Sequence, residues 1–134
     1  MAKALGVGGV FFKSRDPQKL GAWYKEWLGL PVEHPYGASM KKEGLPAGAF
    51  TVWSPFKQDT DYFAPSDQVF MINLIVDDVE GCLARVAEGG GEVMPDREDG
   101  EFGTFGWFLD PEGRKIELWQ PPTSPPEEEG SDTR

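Results

Sequence analysis

The stretch that decides the fold of this chain is residues 104–121, with the sequence TFGWFLDPEGRKIELWQP. Two runs of apolar and aromatic residues flank the turn sequence DPEG at 110–113. In such a turn Asp bonds the following backbone, Pro presets φ at the second position, and Gly accepts the left-handed conformation that closes the loop. The stretch therefore predicts a β-hairpin whose three-residue loop places Asp110 opposite Arg114.

Alternation of side chains in this hairpin separates an apolar face from a face that sets a carboxylate among aromatic rings. The residues that alternation with period two places on the face of Glu117 are Phe105, Trp107 and Trp119. Trp107 then lies directly opposite Glu117, and Phe105 lies opposite Trp119. The other face of the second strand holds Ile116 and Leu118, which are ordinary core residues. Glu117 is then either a solvated rim residue or a functional group in a pocket.

The first half of the chain predicts strand, helix and strand in that order. A strand is expected over residues 5–14, although its glycines weaken it, and Asp16 is a good N-cap for the helix that follows. Residues 18–28 carry apolar side chains at three- and four-residue spacing, which is typical of a packed helix, and Gly29 is a typical C-cap. Residues 49–54 alternate cleanly between apolar and small or polar side chains and predict a strand.

The second half repeats this order after a polar linker. The linker is predicted over residues 55–68, which are rich in Asp, Pro and Gln. A strand over 69–76 and a helix over 79–88 capped by Asp78 follow, with a further strand before the final hairpin. Asp16 and Asp78 mark equivalent points 62 residues apart, a spacing too long for a solenoid repeat. The sequence therefore predicts one domain built from two β-α-β-β-β modules.

This chain resembles the glyoxalase / bleomycin-resistance / dioxygenase superfamily, which has the vicinal oxygen chelate fold. The resemblance rests on FLDPEG followed by IELWQP in the final hairpin, and on the repeated order of strand, Asp, helix, Gly and strand. It implies an α+β fold in which two βαβββ modules, about 5–54 and 69–121, form a cupped mixed β-sheet with the helices on its outer face. The resemblance covers roughly residues 5–121 of a single domain over 1–121, and the acidic, proline-rich residues 122–134 are expected to be disordered.

The resemblance also implies where a metal ion binds in the metal-dependent members of the superfamily. Their four ligand positions, usually His and Glu, correspond here to Gly9, Thr51, Met71 and Glu117. Only Glu117 is a normal ligand for a divalent ion, because Gly has no side chain, Thr offers a weak neutral oxygen and Met a soft thioether. The only histidine, His34, is expected at the surface. We therefore expect no metal and no other cofactor, and neither metal-dependent glyoxalase nor extradiol dioxygenase chemistry.

The cavity that the resemblance implies is lined by aromatic and apolar side chains with a few polar groups, which is the composition of a small-molecule pocket. Glu117 is the candidate catalytic residue. The candidate ligand-binding residues are Phe11, Thr51, Trp53, Met71, Asn73, Trp107 and Trp119. In the alternative interpretation, the aromatic side chains fill the cup and leave no pocket.

Three functions remain open at this point. The first is a metal-independent protein, similar to bleomycin-resistance proteins, that binds a small aromatic or cationic molecule, with Glu117 as the countercharge. The second is an enzyme of the same superfamily, a lyase, isomerase or dioxygenase-like protein, in which Glu117 is an acid, a base or a single metal ligand. The third is a dimerisation or partner-binding domain. The resemblance implies a homodimer, with modules paired either within one chain or between two chains.

Composition argues against several other classes of protein. The 134-residue chain has 23 acidic and 13 basic residues and a formal net charge of −10, so it lacks the basic excess of a nucleic-acid-binding protein. No apolar run is long enough to cross a membrane, and no signal-peptide pattern is evident, so we expect a cytoplasmic protein without membrane or nucleic-acid partners. The single cysteine, Cys82, excludes an intramolecular disulfide.

Overall fold

The structure is a computed structural model that describes residues 9–35 and 37–122. Its elements in chain order are α1 (Pro17–Leu28), β1 (Val32–Glu33), β2 (Gly37–Ala38), a short 3-10 helix (Lys42–Gly44), β3 (Ile72–Ile75), α2 (Val79–Glu88), β4 (Glu92–Gly100), β5 (Gly103–Leu109) and β6 (Lys115–Gln120). The last four strands form one sheet in the order β3-β6-β5-β4. Because β3 runs parallel to β6 and the other pairs are antiparallel, the sheet is mixed and the α+β class is confirmed.

The final hairpin, β5 and β6, has the predicted register. The cross-strand pairs on one face are Phe105 with Trp119 and Trp107 with Glu117. The backbone N–H of Asp110 donates to the carbonyl of Arg114 at 2.9 Å, which closes the predicted three-residue loop. Gly113 has a φ of 83°, in the left-handed region where glycine is strongly favoured. The turn sequence thus fixes which side chains share a face with Glu117.

Both predicted helices form with their predicted N-caps. The carboxylates of Asp16 and Asp78 each accept a backbone N–H from three residues further on, at 3.1 and 3.0 Å. Helix α1 begins at Pro17 and ends at Leu28, and the following Gly29, whose φ of 70° lies in the left-handed region, is its C-cap. Helix α2 spans the predicted residues 79–88. Distant residues add to these local caps, since Gln120 accepts the backbone N–H of Val79 at 2.9 Å and Glu112 accepts that of Asp16 at 3.3 Å.

Both helices pack on the same face of the sheet and enclose the core. The buried core side chains are Leu20, Tyr24, Val79, Leu83, Val86, Phe108, Ile116 and Leu118. Gly106 of β5 permits the close approach of α2, because a Cβ at this position would lie 2.9 Å from the side chains of Leu83 and Val79. The opposite face of the sheet, which carries Trp107 and Glu117, is therefore turned away from the helices.

The first half differs from the prediction. Residues 9–14 and 49–54 carry no strand, and residues 5–8 lie outside the described part of the chain. A strand needs a hydrogen-bonded neighbour, and within 9–35 and 37–122 no strand pairs with either segment. Their apolar side chains lie open instead: Phe11 is 95% exposed and Trp53 is 79% exposed. The described residues therefore contain one complete β-α-β-β-β unit, β3 to β6 with α2, and not the predicted two.

The two edges of the four-stranded sheet differ in charge. The outer edge strand β4 carries four consecutive charged residues over 96–99, and its Arg97 forms an ion pair with Glu80 of α2 at 2.5 Å. The other edge strand, β3, has the sequence INLI and no charge. Residues 55–68 contain turns but no helix or strand, as predicted. Across residues 9–35 and 37–122, no helix combines the length and the apolar content needed to span a bilayer.

Candidate functional site

Glu117 lies in the middle of β6 on the face away from the helices, and only 8% of its surface is exposed. Its Oε2 accepts hydrogen bonds from the hydroxyl of Tyr62 at 2.7 Å and from Nε1 of Trp107 at 2.9 Å. Its Oε1 accepts a hydrogen bond from Nδ2 of Asn73 at 2.7 Å. Three neutral donors thus offset the free-energy cost of burying this carboxylate.

The sheet itself positions two of these three donors. Strand β6 lies between β3 and β5, so Glu117 has a direct neighbour on each side: Asn73 in the parallel pair and Trp107 in the hairpin. Directly paired residues share a face of the sheet, which brings both side chains to the carboxylate. The third donor, Tyr62, comes from the polar linker between the two halves of the chain.

A lysine fastens the linker to the sheet beside this site. The Nζ of Lys115 donates to the backbone carbonyl of Tyr62 at 2.8 Å. The same ammonium group lies 5.4 Å from the ring centre of Tyr62 and 5.8 Å from that of Trp107, within the range of cation–π attraction. Burial raises the pKa of Tyr62, and the hydrogen bond to Glu117 and the charge of that carboxylate raise it further. Tyr62 therefore remains a neutral phenol and a hydrogen-bond donor at neutral pH.

Aromatic rings continue the wall of the site on both sides. Phe105 stacks on Trp119 with ring centres 6.3 Å apart and planes tilted by 11°, and Phe50 lies 5.1 Å from the same tryptophan. On the other side, Phe56 stacks on Tyr62 at 5.5 Å. A cleft of about 10 Å³ beside Trp119, lined in part by Phe50, has room for about one water molecule. The aromatic wall is thus present in one chain, with little open space beside Trp119.

The predicted site residues fall into two groups. Asn73 and Trp107 contact Glu117, and Trp119 lies two residues further along the same face. Met71 is half-buried directly before β3. The others, Phe11, Thr51 and Trp53, are exposed on segments that carry no strand. The sheet therefore assembles the part of the predicted site that its own strands carry.

Tyr62 and Lys115 are parts of the site that the sequence does not predict. Tyr62 lies 55 residues before Glu117, in a segment that the sequence marks only as a linker. A signal was present, because Phe56, Tyr62 and Phe63 are three aromatic residues in an otherwise polar linker. Aromatic side chains dominate the energetics of cores and interfaces, so such a cluster indicates a segment that packs on something.

Away from Glu117, a cluster of charged side chains joins the start of α1 to the loop of the final hairpin. The carboxylate of Glu112 accepts from the Ser14 hydroxyl at 2.8 Å, from Nη1 of Arg114 at 3.1 Å, and from the backbone N–H groups of Arg15 and Asp16 at 3.1 and 3.3 Å. Burial works against ionisation, but these bonds outweigh it and lower the pKa of Glu112 to about 2. An adjoining open cleft of about 360 Å³ is lined by Lys13, Ser14, Arg15, Gln68, Glu112 and Arg114. Glu112 thus ties the loop of the final hairpin to the start of α1.

The side chains around Glu117 do not form a metal-ligand set. Phenol, carboxamide and indole groups each donate a hydrogen bond to it. Over residues 9–35 and 37–122, no three His, Cys, Asp or Glu side chains lie close enough together to hold a metal ion. His34 is exposed, as predicted.

Comparisons with known proteins agree with this fold. A family model described as a glyoxalase-like domain matches residues 9–119, and the chain belongs to this family. The structure is similar to TnmS3, an antibiotic binding protein from Streptomyces sp. CB03234, with a TM-score of 0.54 and 23% identity over 90% of this chain and 100% of that one. It is also similar to a member of the glyoxalase/bleomycin resistance protein/dioxygenase superfamily from Sphaerobacter thermophilus DSM 20745, with a TM-score of 0.47 and 18% identity over 88% and 98% of the two chains. No curated protein matches the chain.

Proposed function

We propose that this protein binds a small aromatic or cationic molecule on the Glu117 face of the sheet, without a catalytic metal. The observation that carries the proposal is a buried carboxylate held by hydrogen-bond donors and bordered by aromatic rings, on the face that the helices leave free. A buried charge does not stabilise a fold by itself, so recognition of a ligand accounts for its position. The similarity to TnmS3, an antibiotic binding protein, supports sequestration of a ligand as a use of this fold.

Independence from a metal follows from the donor set. Of the four positions that the resemblance assigns to metal ligands, only Glu117 has a carboxylate or imidazole, since the others are Gly9, Thr51 and Met71. A divalent ion at Glu117 would have to displace Tyr62 or Asn73 and would gain no further charged ligand from these positions.

The proposal includes a homodimer. Four apolar side chains are largely open in a single chain: Phe11 at 95%, Val69 at 93%, Trp53 at 79% and Val52 at 66%. Exposed apolar surface of this kind marks an interaction site. A second copy of the chain that covers these side chains would bring Phe11, Thr51 and Trp53 into the binding site. Light scattering of purified protein tests this, and a monomer at micromolar concentration would contradict it.

A second candidate is an enzyme in which Glu117 acts as an acid, a base or a single metal ligand. The observation in its favour is the 2.7 Å hydrogen bond between a carboxylate and the phenol of Tyr62 in a buried site, which is a ready path for a proton. Both oxygens of Glu117 are occupied, so a substrate would first have to displace Tyr62 or Asn73. Catalytic turnover of a bound molecule by the wild type, and its loss in Glu117→Gln, would favour an enzyme over a protein that only binds its ligand.

The test of binding uses untagged protein and a panel of planar aromatic molecules, neutral and cationic, with tryptophan fluorescence as the signal. We expect saturable quenching in the wild type and a clear loss of affinity in Trp107→Phe. The matched control is Trp23→Phe, because Trp23 lies on the helix side, where its Nε1 donates to the carbonyl of Gly89 at 2.8 Å. Equal losses in the two variants, or no ligand in the panel that quenches, would contradict the proposal.

Metal analysis of the same protein tests whether the site functions without a metal ion. We expect no stoichiometric metal and no change of melting temperature with EDTA or with added Zn²⁺, Ni²⁺, Mn²⁺ or Fe²⁺. One tightly bound ion per chain, lost in Glu117→Gln, would contradict metal independence and favour the enzyme.

A further inference from the structure

Residues 57–66, here named the Tyr62 segment, cover Glu117 without belonging to a helix or a strand. The backbone hydrogen bonds within the segment are those of turns: Thr60 to Lys57, Ala64 to Asp61 and Ser66 to Phe63. Across the described residues, two polar links join the segment to the sheet: the hydroxyl of Tyr62 to Glu117 at 2.7 Å, and Lys115 to the carbonyl of Tyr62 at 2.8 Å. The segment can therefore leave the sheet without breaking any strand pairing.

The three donors to Glu117 differ in how they are held. Asn73 and Trp107 belong to strands on either side of β6, so they stay in place as long as the sheet is intact. Tyr62 is the donor that can leave. Glu117 is only 8% exposed, so a ligand that contacts this carboxylate has to take the place of a group that now covers it.

We infer that Tyr62 is a displaceable donor, and that the ligand of this site carries its own O–H or N–H donor, which replaces the Tyr62 hydroxyl on Oε2 of Glu117. The inference rests on the proposed function at the same site, and it names the chemical class of the ligand. When Tyr62 leaves, Oε2 keeps only the bond from Trp107. A buried carboxylate that lacks a donor is costly. A planar molecule with a phenol or a heteroaromatic N–H restores the missing bond, whereas one without a donor does not.

Tyr62 on this account occupies the position on Oε2 of Glu117 at which the site selects its ligand. Its hydroxyl competes with the donor of the ligand for the same carboxylate oxygen, so in the wild type a ligand donor exchanges one hydrogen bond for another. Removal of the hydroxyl leaves an open position that only a donor-bearing ligand fills. Sites built around buried polar groups discriminate strongly against analogues that leave those groups unpaired.

Indole and benzofuran are a matched pair of probes, because they share size and planarity and differ in that only indole has an N–H donor. Calorimetric titration of the full chain gives the affinity of each probe for the wild type and for Tyr62→Phe. We expect indole to bind the wild type about tenfold more tightly than benzofuran, since both probes displace Tyr62 and only indole restores a hydrogen bond to the charged acceptor. In Tyr62→Phe we expect both affinities to rise by a similar factor, because neither probe then has to break the bond from the Tyr62 hydroxyl, and the ratio of about tenfold should persist.

Two further variants test the role of the Tyr62 hydroxyl and of its segment. Tyr24→Phe also removes a phenol hydroxyl, but one that donates to Asp110 at 3.0 Å on the helix side, and it should leave the affinity of both probes unchanged. Lys115→Met removes the second link of the Tyr62 segment and keeps the Tyr62 hydroxyl. It should raise the affinity of both probes by a similar factor, because displacing the segment then costs less.

The outcomes distinguish this inference from the proposed function. If both probes bind the wild type with equal affinity, or if Tyr62→Phe binds indole no more tightly than the wild type does, the inference is overturned and the binding site stands. If neither probe binds any of these proteins, both are overturned. The wild type provides the test even if Tyr62→Phe does not fold. Indole should shift the ¹H–¹⁵N signal of the Trp107 side chain, which shares Oε2 with the incoming donor, and no shift at saturation would overturn the inference.

Discussion

The two halves of this chain have the same predicted order of elements and fold to different extents. The second half forms a β-α-β-β-β unit with a continuous sheet, whereas the first half forms one long helix and a two-residue ladder. Six of the eight buried core side chains belong to the second half and two to α1. A tight hairpin can build a sheet from neighbouring residues, and β3 then adds to it across 44 residues, whereas the propensity of a segment for strand does not by itself supply a partner.

The test with the largest expected effect on stability replaces one phenylalanine in each half by alanine. Phe108 is fully buried in the core and Phe11 is 95% exposed. Phe108→Ala should lower the free energy of unfolding by about 3–5 kcal/mol because it leaves a cavity, whereas Phe11→Ala in dilute protein should change it by less than about 0.5 kcal/mol. Urea denaturation measures both. Equal losses would show that the first half is packed in solution as tightly as the second.

A second test enlarges a glycine in each half. Gly106→Ala places a methyl group 2.9 Å from Leu83 and Val79, so it should destabilise the protein by about 1–3 kcal/mol. Gly44→Ala adds the same methyl group where no atom lies within 4 Å, and it should change stability by less than about 0.5 kcal/mol. Thermal melts of the two variants decide the matter. An unchanged melting temperature in Gly106→Ala would mean that α2 does not press on β5.

A third test concerns the carboxylate that ties the two halves together. Because the pKa of Glu112 is lowered from 4.5 to about 2, its contribution to stability is fully present above pH 4.5 and is lost as the pH falls toward 2. Glu112→Gln should therefore lower the free energy of unfolding at pH 7 by on the order of 2 kcal/mol. The free energy of unfolding of this variant should also fall less steeply between pH 4.5 and pH 2. Urea midpoints between pH 2 and pH 7 measure the effect. The assignment to Glu112 would be contradicted if the urea midpoint still fell steeply below pH 4.5 in Glu112→Gln but not in the exposed control Glu101→Gln.

The smallest effect compares the two helix caps. Asp16→Ala and Asp78→Ala each remove a carboxylate that accepts one backbone N–H, at 3.1 and 3.0 Å. Each should cost about 1 kcal/mol, so the helices are the part in which the two halves remain alike. Chemical denaturation of each variant gives the two values. A negligible loss in Asp16→Ala beside a normal loss in Asp78→Ala would extend the contrast between the halves to their helices.

The parts of the fold that the sequence predicted are those decided by a few neighbouring residues. The register of the final hairpin follows from the turn at 110–113, and the helix starts follow from Asp16 and Asp78. The strands predicted at 5–14, of which 9–14 are described, and at 49–54 rest on their own composition, but a strand exists only with a partner. Their exposed apolar side chains show why composition misled, since the pattern that favours a strand does not supply the neighbouring strand.

The candidate site was predictable to the same extent. Trp107 lies ten residues from Glu117, and the hairpin places it there. Asn73 was placed on a cavity-facing strand by alternation, but its contact with Glu117 depends on a parallel pairing across 44 residues. Tyr62 approaches from a segment without regular structure, where no periodicity fixes the direction of a side chain. The side chains that strands carry to the site could therefore be predicted, and the one that a loop carries could not.

The unequal charge of the two sheet edges limits how this sheet can be extended. A strand that added to β4 would have to pair beside the four charged residues at 96–99. Charged residues on an edge strand prevent such pairing. The INLI sequence of β3 sets no such barrier. The sheet can therefore be extended only at the edge of β3. This holds for a strand from the first half of the chain and for a strand from another molecule.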